Sequence, residues 1–118
     1  MACLLYTSDA AERLASEDTL SVEILDLRTI IPWDREAVLA SVEKTSRVLV
    51  LHEDTRTAGF GAEIAATIAE EAFEHLDAPV ARMAGPDVPA MGFATNLEHA
   101  FMPNADEVAE RMLELARF

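Results

Sequence analysis

One cysteine, Cys3, is the only thiol in 118 residues, so no internal disulfide and no cysteine-based zinc cluster is available. A lone thiol fits a reducing compartment. Four glycines and five prolines leave no low-complexity tract or linker. The apolar runs are only a few residues long, far short of a membrane span, and no basic, apolar leader marks a signal peptide. Positive charge is also scarce, with 9 basic against 22 acidic residues and a formal net charge of −13. That balance repels a nucleic-acid backbone and attracts a basic partner. His75 and His99 form no HxH or HxxxH pair, so no metal site is expected. What remains is ordinary for one globular domain: 51% apolar and 26% charged residues, enough for a real core.

The opening residues stand apart. Residues 3–11, CLLYTSDAA, resemble the in-frame translation of a sequencing-library adapter. Residues 1–11 are therefore expected to be a non-native leader, with the domain proper running over 12–118. The competing reading is a genuine short strand, Cys3 to Tyr6, before a helix capped at Ser8 or Asp9. Either way Ala10, Ala11, Leu14 and Ala15 supply an apolar face for a helix over Asp9 to Glu17.

Downstream, strands and helices alternate. Val22 to Leu27 is apolar and β-branched and reads as a buried strand. Pro32 interrupts it, and Asp34 offers a cap to a helix carrying Val38, Leu39 and Val42 and ending near Lys44. Arg47 to Leu51 reads as a second strand, leading into His52-Glu53-Asp54 at its carboxyl end. A long helix follows Gly61, with Ile64, Ala65, Ile68, Ala69, Ala72, Phe73 and Leu76 at helical spacing. Val80 to Met83 is the third expected strand. The loop Gly85 to Phe93 precedes a short helix, Asn96 to Phe101. Asn104 and Glu107 then pattern as a capping box for a terminal helix with Val108, Met112 and Leu115 inward. The alternation predicts a parallel sheet covered on both faces.

Few residues carry chemistry. His52 beside Glu53 has the makings of a general acid–base pair at a strand end, where open sheets place their sites. No Ser or Cys nucleophile sits at a diagnostic spacing, so holding the loop is the preferred role. Gly59-Phe60-Gly61 before a helix can cradle an anion, but it lacks the third glycine of a dinucleotide fingerprint and the lysine of a P-loop. Close packing of the helix start is the plainer reading. His75 is placed to favour the carboxyl end of its helix. Asp87, alone in its loop, is expected to hydrogen-bond its own turn. Asp106, Glu107, Glu110 and Glu114 make the last helix acidic, with Phe118 beyond them.

The blocks VEILDLRTIIPWD, SVEKTSRVLVLHED, GFGAEIAATIAEEAFEHLDAPVARMAGPDVPA and LEHAFMPNADEVAERM occur in a familiar order. They resemble the C-terminal, transketolase C-terminal-like domain of the beta subunit of thiamine-diphosphate-dependent 2-oxo acid dehydrogenases, of the pyruvate and branched-chain 2-oxoisovalerate type. The likeness runs from about Ala11 to Phe118. It implies a three-layer α/β/α sandwich with a mainly parallel five-stranded sheet, two of whose strands precede the helix at Asp9. Here Met1 to Thr7 hold that ground, so the first strands are expected to be missing, with Leu4-Leu5-Tyr6 as a short candidate for the slot. The implied parent activity is oxidative decarboxylation of a 2-oxo acid with acyl transfer to a lipoyl arm. The resemblance places thiamine diphosphate on the alpha chain and on the beta chain's N-terminal domain, so no catalytic, cofactor or metal residue is assigned here. Interface or structural roles fall to His52, Glu53, Gly59, Gly61, Asp87, Glu114 and Phe118. The implied partners are an alpha subunit or fused alpha half, a second beta subunit, and the small basic subunit-binding domain of the acyltransferase core. The implied location is the bacterial cytoplasm. A stand-alone, flavodoxin-like enzyme or ligand-binding domain using His52, Glu53 and the Gly59 to Gly61 turn is the other reading.

Overall fold

The computed structural model describes residues 2–17, 20–89 and 92–118, without the side chains of Ala2, Cys3, Leu4 and Tyr6. The elements run α1 (Ala2–Ser16), α2 (Arg35–Thr45), β1 (Leu49–Thr55), α3 (Gly61–Glu71), a 3-10 turn (Phe73–His75), β2 (Ala81–Gly85), α4 (Thr95–Phe101) and α5 (Ala105–Arg117). None of these helices is long and apolar enough to cross a membrane.

β1 and β2 pair in parallel, with Leu49, Val50 and Leu51 opposite Ala81, Arg82 and Met83. Side chains alternate across a strand, so the pair builds two cores at once. On one face Val48, Val50 and Val80 meet Val38 and Val42 of α2 and Ile64 and Ile68 of α3. On the other, Leu49, Leu51 and Met83 meet Ala10 and Leu14 of α1 and Val108, Ala109 and Met112 of α5. Helices therefore cover both faces of the sheet, the expected three layers.

Local chemistry explains the helix ends. Asp34 accepts from the Ala37 amide at 3.0 Å, using one of the free N–H groups that open α2. Ser46 closes that helix in the left-handed region at φ 57°, its amide on the Val42 carbonyl. Asn104 and Glu107 form the reciprocal capping box at the start of α5. Across elements, Arg13 pairs with Asp106 to join α1 to α5, and Arg35 pairs with Glu71 to join α2 to α3.

Several expectations need correction. Val22 to Leu27 is not a strand. Val22 packs into the α1/α5 core and Leu27 into the α2/α3 core, so the segment crosses between layers. A β-branched run becomes a strand only beside a hydrogen-bonding neighbour, and among the described residues the sheet has only β1 and β2. Of the three strands expected here, two form the sheet among the described residues. Residues 3–6 are helical within α1, which overturns both the short strand Cys3 to Tyr6 and a strand at Leu4-Leu5-Tyr6. β1 starts later than Arg47 and continues to Thr55, because Thr55 pairs with Gly85 after an irregularity beyond Leu51. His52-Glu53-Asp54 therefore lies inside the strand rather than past it. β2 likewise runs to Gly85 rather than Met83. The long helix stops at Glu71, five residues before Leu76, and its continuation is a 3-10 turn that leaves Phe73 exposed. Of the loop expected over Gly85 to Phe93, Gly85 belongs to β2, the remainder is irregular where described, and Ala90 and Met91 lie outside the described residues.

Candidate functional site

Polar residues collect at the carboxyl end of the paired strands and in the two loops that leave it. His52 turns to the α3 side, and its ring lies against the Gly59–Gly61 backbone. A Cβ at Gly59 would come within 2.7 Å of Cε1, and one at Gly61 would collide with Cδ2 and Nε2. At Gly61 the ring is the nearest obstacle to a side chain, whereas at Gly59 the Thr55 carbonyl oxygen stands closer still, at 2.2 Å, so backbone and ring together require glycine there. Both ring nitrogens are sealed from solvent and lack a hydrogen-bond partner. Burial lowers the His52 pKa below the ordinary imidazole value; the Asp54 carboxylate pulls upward and the Arg82 guanidinium adds to the lowering.

This geometry separates His52 from Glu53. Neither ring nitrogen bonds to the carboxylate, so the two do not form an acid–base pair in this arrangement. Glu53 is half-buried, with its carbonyl oxygen against Gly85, where an added Cβ would come within 2.8 Å. Part of the donor set an anion cradle would use is already engaged. The Ala62 amide donates to the Gly59 carbonyl at 2.9 Å and the Glu63 amide to the Phe60 carbonyl at 3.0 Å. Donors already used within the turn are not free for a phosphate.

Asp87 differs from its expectation. Its carboxylate accepts from the Thr57 amide at 2.9 Å and the Thr57 hydroxyl at 2.6 Å. It clasps the loop after β1 to the loop after β2 instead of bonding its own turn. Those Thr57 bonds hold its carboxyl below the usual range, with Arg56 contributing. Beside the clasp, Arg56 donates to the Arg82 carbonyl at 3.3 Å and Arg82 returns a bond to the Arg56 carbonyl at 3.5 Å. Sequence reasoning missed Arg56, Thr57 and Arg82. The only signal was the polar run Thr55-Arg56-Thr57 directly after a strand.

Glu114 lies on α5 and Phe118 directly follows it. Glu114 pairs with Arg111 at 2.7 Å, and Phe118 is exposed. Asp106 and Glu107 are engaged with Arg13 and with the capping box, so much of the acidic helix already has internal partners. His75 sits in the 3-10 turn beyond α3, 4.0 Å from Glu43 and 3.8 Å from Glu74. Among the described residues, no three potential metal ligands gather.

Residues 4–108 match the family described as transketolase, C-terminal domain. The chain belongs to that family. This transketolase C-terminal domain is 45% identical over 116 residues to the 2-oxoisovalerate dehydrogenase subunit beta of Bacillus subtilis (strain 168), covering 98% of this chain and 35% of that protein. It is 46% identical over 103 residues to the pyruvate dehydrogenase E1 component subunit beta-2, mitochondrial, of Oryza sativa subsp. japonica, covering 87% of this chain and 27% of that one. The domain thus spans about a third of the first relative's length and about a quarter of the second's. Among solved structures it is similar to a split gene transketolase, inactive beta4 tetramer, with TM-score 0.75 and 24% identity, covering 94% of this chain and 36% of that one. At that identity the likeness establishes the fold.

Proposed function

We propose that this chain is the assembly domain of the beta subunit of a 2-oxo acid dehydrogenase decarboxylating component. The observation that supports this reading most is 45% identity to a 2-oxoisovalerate dehydrogenase beta subunit over nearly the whole chain. The geometry agrees with a structural role. The polar groups at the carboxyl end of the sheet bond one another, and the imidazole that resembles a catalyst is sealed into a turn. A stand-alone enzyme would need that imidazole within reach of a substrate.

In this reading the intact protein decarboxylates a 2-oxo acid with thiamine diphosphate and passes the acyl group to a lipoyl arm. The cofactor is held outside this domain. The domain contributes contacts to an alpha subunit and a second beta subunit. It also presents α5, with Glu110, Glu114 and the exposed Phe118, to the basic subunit-binding domain of the acyltransferase core. A chain of net charge −13 favours such a partner, and attraction between exposed charges is screened by salt.

The test is a titration of the intact enzyme with the acyltransferase subunit-binding domain. Affinity should fall as salt rises from 50 to 300 mM (about a twofold change in screening length), and deleting Phe118 should weaken binding. Binding that ignores both would remove α5 as the docking face while leaving the family membership untouched.

A further inference from the structure

We propose that His52 is an acid-sensitive latch: while neutral its ring locks the Gly59–Gly61 turn against β1, and protonation forces that turn to open. The ring fills the space that a side chain at 61 would need and shares with the Thr55 carbonyl the space at 59, so the half-buried ring and the turn form one close-packed joint. Inside that joint neither nitrogen touches solvent or a hydrogen-bond partner. A neutral imidazole already leaves a donor and an acceptor unpaired there. An imidazolium would leave two donors and a net charge, which is the costlier state to bury.

The surroundings give little relief. From β1 Asp54 favours a positive ring through both its carboxylate and its backbone, burial outweighs that pull, and from β2 the Arg82 guanidinium opposes it as well. α3 presents the positive end of its dipole through Gly61, while Glu63 in its first turn is exposed. Arg56, in the loop between, adds another cation near the Arg82 backbone. Hydration is the remaining way to accommodate the proton, and it requires Gly59–Gly61 to leave the ring. Thr57 rides on the same loop, so opening also disturbs its clasp on Asp87.

The sign follows from linkage. The closed joint holds its imidazole below the unfolded value, so the open form binds protons more readily. The closed state is fully favoured above about pH 6.5. It then loses up to about tenfold in closed-to-open ratio per pH unit below that, until the folded pKa is passed.

The test is amide hydrogen exchange on the intact protein that carries this domain, between pH 7.5 and 5.5, corrected to protection factors. Protection at Ala62 and Glu63 should fall by up to about tenfold per unit below pH 6.5, while Val108, on α5, stays level. His52→Phe and His52→Leu should flatten the dependence at Ala62 and Glu63. A flat wild-type profile, or the same slope in both variants, would overturn the latch. If neither variant folds, the wild-type imidazole carbon shifts decide. Protonation that coincides with loss of protection supports the latch, and protonation with the turn still protected sinks it.

Discussion

Asp87 is an exposed carboxylate whose chemistry is set by one distant threonine. Two hydrogen bonds from Thr57 favour the charged form, so its folded pKa lies below the unfolded one. The clasp therefore adds stability above the ordinary carboxylate range, and that contribution disappears as pH falls through the depressed folded value. A carbon-detected titration of the Asp87 carboxyl should give a midpoint below that of an unperturbed aspartate. Thr57→Val, which removes the 2.6 Å bond, should raise the midpoint towards the ordinary value. An unchanged midpoint would mean that the Thr57 amide and Arg56 set the shift without the hydroxyl. Residue-level features were legible in the sequence where both partners lie within one turn. Asp34 with Ala37, and Asn104 with Glu107, follow from spacing alone. The Thr57–Asp87 clasp spans thirty residues, and the packing of His52 on Gly59 and Gly61 depends on the chain doubling back. Neither leaves a periodic mark.

At the scale of elements, every helix could be located from the sequence, although α1 starts at Ala2 rather than Asp9 and α3 stops at Glu71, whereas strands were legible only in part. A helix satisfies its own backbone, so apolar spacing and caps suffice to locate it. Ile64 and Ile68 of α3 and Val108 and Met112 of α5 are buried as their spacing requires. A strand needs a neighbour, and Val22 to Leu27 has the composition without the ladder. α5 also depends on its capping box. Asn104→Ala removes the bond to the Glu107 amide and should destabilise the fold by about 0.5–2 kcal/mol in urea unfolding. Ile68→Ala empties a fully buried site between α3 and β1 and should cost more, about 2–5 kcal/mol. Equal effects for the two variants would show that α3 is poorly packed.

At the scale of the molecule, two cores share one narrow sheet. Each strand of that sheet has a single paired edge among the described residues, and three or more strands are the usual requirement for independent stability. Taken alone, the chain should therefore be marginally stable or self-associate. Light scattering and thermal unfolding at several concentrations check this, and a monodisperse monomer with a cooperative transition would refute it. The three-layer arrangement was legible because alternation of helix and strand leaves few topologies. The width of the sheet was not, since it depends on which segments find partners.

Trp33 meets Phe60 edge-on, with ring centroids 6.3 Å apart and planes at 84°. It is the sole tryptophan of the chain, and Phe60 lies between the two glycines of the His52 joint. The indole is thus a built-in fluorophore seated against the start of α3. Its emission wavelength and quenching by iodide report on that one contact, without labels and without interference from any other tryptophan.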